Sequence, residues 1–203
     1  METFFKGINK KIQKAAKKDF PKIKKMLKNE NPYAVAFVTD SDCVTLWLGV
    51  NTYEFLEKTD AKYAEDGDDY TTKWIPDEWG YSTDWDDSGF VKISEKLSDK
   101  MDSIYDEIDK LEADLTDDQE QELVEEYGFT KLFLETVTSA FQELIQANAF
   151  GFDPEKITYF ISMTDDERTY EIEDNSAKLL NSKKVYEEFL KRPKDENDDE
   201  LED

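Results

Sequence analysis

The sequence predicts an α+β protein: a mostly antiparallel central sheet of three to five strands, a basic N-terminal helix, and a helical insertion between the sheet halves. Three observations carry that expectation. Residues 33–39 (YAVAFVT), 43–50 (CVTLWLGV) and 157–163 (ITYFISM) are short β-branched and aromatic runs. Residues 93–145 repeat Ile, Leu, Met, Phe and Val at three- and four-residue steps, the period of an amphipathic helix. Residues 1–30 hold ten lysines against Glu2, Asp19 and Glu30.

In the basic segment Phe5, Ile8, Ile12, Ala15, Ala16, Ile23, Met26 and Leu27 fall on one helical face, with lysines on the others. Pro21 suits a first turn and not a helix interior, so a kink or break is expected near Lys18 to Phe20. Residues 33–39 and 43–50, separated by Asp40-Ser41-Asp42, read as a hairpin. Both runs are apolar on both faces, which predicts central strands covered on each side. Asn51 or Thr52 is the expected N-cap of a short helix through Tyr53, Phe55 and Leu56.

Residues 60–90 hold ten acids, two lysines, Trp74, Trp79 and Trp85, and the breakers Gly67, Pro76, Gly80 and Gly89. They predict an irregular excursion with a strand near Tyr70 to Ile75. A helix follows over 93–114, then a second from the capping sequence Thr116-Asp117-Asp118-Gln119 to Gly128, then a third through Leu132, Phe133, Val137, Phe141, Leu144 and Ile145. After the strand at 157–163, residues 169–172 read as a partner strand, and 175–180 and 183–190 as two short helices. Residues 1–191 form one expected domain. Residues 192–203 (RPKDENDDELED), net −5, predict a disordered acidic tail.

Composition removes several functions. The 203 residues contain 26 Lys+Arg, 50 Asp+Glu, no histidine and one cysteine, for a net charge of −24. Without histidine there is no Ser-His-Asp or Cys-His machinery and no imidazole ligand. Cys43 alone makes neither an intrachain disulfide nor a CxxC site, and its flanks give no cause for a reactive thiol. The seven glycines form neither GxGxxG nor GxxxxGK[ST], and the negative field repels nucleic acid. No signal peptide and no membrane span is visible, which predicts a soluble cytoplasmic protein.

Carboxylates are the one plentiful reactive group, but Asp40-x-Asp42 and Glu65-Asp66-Gly67-Asp68-Asp69 lack the ligand spacing of a calcium loop. No catalytic residue, cofactor or metal is expected. The strongest constellation is Trp74-Ile75-Pro76-Asp77-Glu78-Trp79-Gly80-Tyr81 with Thr83-Asp84-Trp85-Asp86-Asp87. Its aromatics either cover the sheet or anchor a partner that the acids steer, and both can hold together.

The order YAVAFVTDSD, a strand ending in Val50-Asn51-Thr52, the element W-x-P-x-E-W-x-Y from Trp74 to Tyr81, a long helical middle, ITYFISMTDDE and LLNSKKVYEEFL resembles a bacterial family defined as a domain of unknown function. The likeness spans about residues 3–190, and the tryptophan element is its specific part. It implies a small soluble protein with no established activity, some relatives serving as immunity proteins of polymorphic toxin systems. It carries over no catalytic residue.

The function expected is that of a non-catalytic immunity protein that covers a toxin's active site. Trp79, Tyr81 and Trp85 would fill pockets, while Asp77, Glu78, Asp84, Asp86 and Asp87 oppose the cations of a basic partner such as a nuclease domain. The alternatives are a carboxylate-based enzyme, Mg²⁺-dependent or not, and a regulatory or scaffold protein.

Overall fold

The computed structural model describes residues 1–65, 71–111 and 115–194. Helix α1 (Glu2–Leu27) is the basic amphipathic segment, and it buries Phe5, Ile8, Ile12, Ala15, Ala16, Phe20, Ile23 and Leu27. The break expected near Lys18 to Phe20 is absent, because the helix runs on through Pro21. Pro21 and Lys17 both face solvent, so the carbonyl that loses its donor can be hydrated.

Among the described residues four strands follow the order β3-β2-β1-β4. β1 (Pro32–Asp40) pairs antiparallel with β2 (Trp47–Thr52), and β2 pairs antiparallel with β3 (Tyr81–Ser82). β4 (Thr158–Thr164) runs parallel to β1 on its other side. The second strand starts at Trp47, not at Cys43. The Asp40 carboxylate accepts the Val44 and Thr45 amides at 2.8 and 3.3 Å, and Cys43 takes a left-handed φ of 59°, which bends residues 43–46 out of the ladder.

Thr52 Oγ1 accepts the Phe55 amide at 3.1 Å and so caps α2 (Tyr53–Glu65). The strand expected at 70–75 is absent among the described residues 71–75. There the Asp60 carboxylate takes the Thr72 amide at 2.9 Å and the Thr71 hydroxyl at 3.0 Å, and a short 3-10 helix follows at Pro76–Glu78.

The insertion is helical: α3 (Val91–Leu111), α4 (Asp117–Glu126) and α5 (Phe129–Gln146). Thr116 and Gln119 close the anticipated capping box, and Gly128 follows α4 in the left-handed region at φ 67°. After β4 the segment expected as a partner strand at 169–172 is instead the first turn of α6 (Thr169–Leu180). Glu173, Ser176, Ala177 and Leu180 share its buried face at helical spacing, a longer pattern than the four residues TYEI reveal. Helix α7 (Lys183–Phe189) is capped by Ser182.

Alternation along the strands separates two apolar layers. Val35, Phe37, Leu48, Val50, Tyr159 and Ile161 pack with the buried faces of α1, α3 and α5. Ala34, Ala36, Val38 and Phe160 pack with Trp79, Ala177 of α6 and Phe189 of α7. The double covering read from the strand composition is therefore present. The free side of β4 is also occupied. Asn181 accepts the Tyr159 amide at 2.8 Å and donates to its carbonyl at 2.6 Å. Ser176 Oγ accepts the Ile161 amide at 2.9 Å, and Thr169 donates to the Met163 carbonyl at 2.6 Å.

Arg192, placed by the sequence at the head of a disordered tail, is 5% exposed and pairs with Glu173 of α6. Residues 195–203 lie outside the described residues, as do Asp66 to Tyr70 and residues 112–114. No helix among the described residues is long and apolar enough to cross a membrane.

Candidate functional site

The tryptophan element lies against the second face of the sheet, and its local chemistry explains why. Pro76 opens the 3-10 turn, and Gly80 sits so close to the Phe55 ring that a β-carbon there would collide with it. Trp79 is turned inward, 8% exposed, with its ring 5.7 Å from Phe160 and 6.4 Å from Tyr33. Its indole nitrogen has no hydrogen-bond partner among the described residues, so Trp79 acts as an apolar plug.

The other residues expected to bind a partner disperse. Tyr81 is half-buried near Phe55, and burial, then the Glu30 carboxylate, push its phenol up to about 12. Trp85 is half-buried beneath the Lys22 ammonium, which lies 5.1 Å from the ring centre. The same ammonium pairs with Asp87 at 3.0 Å, and its hydrogen bond holds that carboxyl below the usual carboxylate range. This corner therefore joins the acidic segment to α1. Asp84 and Asp86 are exposed and Glu78 is half-buried.

Asp77 goes elsewhere, to the wall of a cleft of about 690 Å³ at the C-terminal end of β4. Trp74 and Tyr170 contribute aromatic walls, and Asp165, Asp166 and Glu167 follow β4 as its rim. Asp166 is spent on a bidentate contact with Arg168 at 2.8 and 3.0 Å, which lowers its pKa. Asp165 and Glu167 stay exposed. Desolvation against the cleft wall, then the nearby charges of Asp165 and Glu78, raise the pKa of Asp77.

Beneath the rim Glu173 is 3% exposed, with Ser162 donating to one oxygen at 2.7 Å and Arg192 donating to the other at 3.2 Å. Arg192 also binds Asp174, and its guanidinium lies 4.0 Å from the centre of the Phe189 ring. Burial outweighs these partners and pushes the Glu173 carboxyl up to about 7. Since the lining cation Arg192 is consumed by Glu173 and Asp174, and the adjacent Lys194 pairs with Asp174 at 3.1 Å, the cleft presents uncompensated carboxylates between aromatic walls. That suits a lysine, an arginine or another organic cation. No group of three potential ligands among the described residues is placed to hold a metal ion.

Sequence reasoning found the run Trp74 to Asp77, with Asp77 as a partner-binding residue, and missed the rest of this cleft. Two signals were present. The acids of TDDE directly follow a buried strand, which places them at a strand end, where open sheets gather their sites. The chain also has only two arginines, Arg168 and Arg192, among 26 cationic residues, and arginine is the cation suited to buried or bidentate carboxylate pairs.

Searches of curated proteins and of solved structures return no match to this chain. A family profile, Domain of unknown function (DUF4303), matches residues 12–182. The match runs from within α1 to Ser182, the cap of α7, and takes in the whole sheet and most of the cleft, so the protein belongs to the DUF4303 family.

Proposed function

We propose that this is a non-catalytic binding protein that receives a basic protein partner at the acidic cleft, most concretely a cytoplasmic immunity protein that neutralises a bacterial toxin. The supporting observation is the convergence of Asp77, Asp165 and Glu167 on one opening walled by Trp74 and Tyr170, with no unspent cation among the described residues of its lining. A field of this sign speeds encounter with a cationic groove, and the aromatic walls supply contact area once the partner is seated. The proposed site shares Asp77 with the one expected in sequence and differs in the rest. Of the residues expected from Asp77 to Asp87, Trp79 is withdrawn into the core and Asp87 is engaged by Lys22, which supports taking Asp77 with the strand-end acids as the anchor.

The test is a pull-down from the native host with the tagged protein, eluted by a salt gradient and read by mass spectrometry. One basic polypeptide at a fixed stoichiometry, its retention lost in the variant carrying Asp77→Lys, Asp165→Lys and Glu167→Lys, is the expected result. Reversal of Asp84 and Asp86 serves as the comparison surface. Undiminished retention by the folded cleft variant removes the cleft from the proposal.

A second reading, a carboxylate-based enzyme, is favoured by the raised pKa values of Asp77 and Glu173 around one concavity. Both oxygens of Glu173 are already held by Ser162 and Arg192, which suits a structural role better.

A further inference from the structure

At the opposite end of the β1–β4 pair lies a second cavity, of about 750 Å³, with a different chemistry. Its aromatic side is built from Tyr33, Tyr53 and Trp74. The Tyr33 and Tyr53 rings lie 4.9 Å apart with a 38° tilt, and Trp74 meets Tyr33 edge-on at 5.7 Å. Tyr53 is 53% exposed, the largest fraction for an aromatic ring among the exposed hydrophobic residues described. Tyr33 is fixed, since its hydroxyl donates to the Lys73 carbonyl at 2.7 Å and accepts from Asn51 at 2.9 Å.

The charged side is lysine. Lys73, Lys156 and Lys184 all line the cavity. Lys73 lies 5.0 Å from the Trp74 ring centre and 5.8 Å from that of Tyr33. Among the described residues neither Lys73 nor Lys184 has a carboxylate at ion-pair distance, although acids outnumber bases 50 to 26 in this chain. Each acid that shares the lining has a close partner, which for Asp153 is Lys156 of the cavity itself, and the Lys184 charge also acts on Glu188. Glu155 accepts from Ser182 at 3.1 Å, Glu188 pairs with Lys191 at 2.6 Å, and Asp153 accepts the Glu155 amide at 3.1 Å with Lys156 at 4.0 Å.

We propose that this cavity binds a small organic anion built on a flat ring. The ring would stack on Tyr53 and meet Trp74, while Lys73 and Lys184 take the anionic group as point charges. A phosphate held in this way needs no glycine-rich loop, because side chains replace the backbone amides of such loops. A nucleoside monophosphate and an aromatic carboxylate share this chemistry. The cavity volume falls within the usual range of small-molecule sites, roughly 300–1,000 Å³. Trp74 is common to this cavity and the acidic cleft, but the inference does not rest on the cleft, whose carboxylates would repel the same ligand.

Calorimetric titration of the full chain tests it with five probes: AMP, GMP, benzoate, adenosine and inorganic phosphate. At least one ring-bearing anion is expected to bind with a dissociation constant below about 1 mM, and roughly tenfold or more tighter than adenosine or phosphate alone. A nucleotide response identifies a phosphate source, and a benzoate response alone identifies a carboxylate source. Lys73→Gln with Lys184→Gln, and separately Tyr53→Ala, should each weaken that binding about tenfold while circular dichroism stays native. These side chains are at the surface or the rim, so the fold survives their loss. No saturable binding by any ring anion, binding matched by phosphate alone, or binding unchanged in the folded variants would each overturn the proposal.

Discussion

The Glu173 carboxyl is buried against Ser162 and Arg192, and desolvation lifts its pKa from the ordinary 4.5 to about 7. A carboxyl with a raised folded-state pKa takes up a proton on folding. Between the two values the native state holds more proton than the unfolded state, so this group makes stability fall as pH rises from 4.5 towards about 7, and adds no slope above that. Urea denaturation across about pH 5–8 should show this component, and Glu173→Gln should remove it. An unchanged pH slope in that variant would locate the titration elsewhere. Cys43 is the contrasting case: burial, then the Asp40 charge, push its thiol up to about 12, and it stays protonated at neutral pH.

At the scale of elements, the segment from Thr71 to Phe90 is held by single residues at several points and not by regular pairing. Asp60 fixes its start, Gly80 lets it pass over Phe55, β3 contributes two residues to the sheet, and Asp19 of α1 takes the Ser88 hydroxyl and the Gly89 amide at 3.1 and 2.7 Å. Trp79 is the piece that seats it on the second face. Trp79→Ala should cost about 3–5 kcal/mol in chemical denaturation. Stability left intact would mean that the cavity collapses or that the indole is dispensable. These long-range ties were not legible in sequence, because nothing local to Gly80 says that Phe55 lies across from it, and nothing local turns Trp79 inward. What was legible followed local rules. The two-sided strands, the Thr52 cap, the Thr116–Gln119 box and the apolar stripe of α5 each depend on spacing within a few residues. The departures at 43–46 and 169–172 have one kind of cause, since short β-prone stretches were overridden by side-chain hydrogen bonds to Asp40 and by the longer helical face of α6.

Across the whole molecule, charge is arranged more than it is balanced. The lysines of α1 lie at its outer faces, where Lys18 and Lys22 reach the acidic segment at Asp87, and the end of β4 carries exposed carboxylates. With a net charge of −24, repulsion among acids should exceed the attractions that α1 supplies. Added salt shortens the screening length from about 30 Å at 0.01 M to about 8 Å at 0.15 M, so the urea midpoint should rise over that range. A falling midpoint would show that the pairing of α1 with the acidic segment dominates.

The hydrogen bonds along the outer side of β4 have a consequence for what this protein can become. Asn181, Ser176 and Thr169 occupy backbone groups that an arriving strand would need, so this border of the sheet offers it no template. Growth by strand addition, whether into fibrils, swapped dimers or a complex with an extended peptide, is blocked there by three side chains. On that side of the molecule the openings left for contact among the described residues are the two at the ends of the strand and a cavity of about 760 Å³ between α5 and α6, lined in part by Ile161 and Ser176.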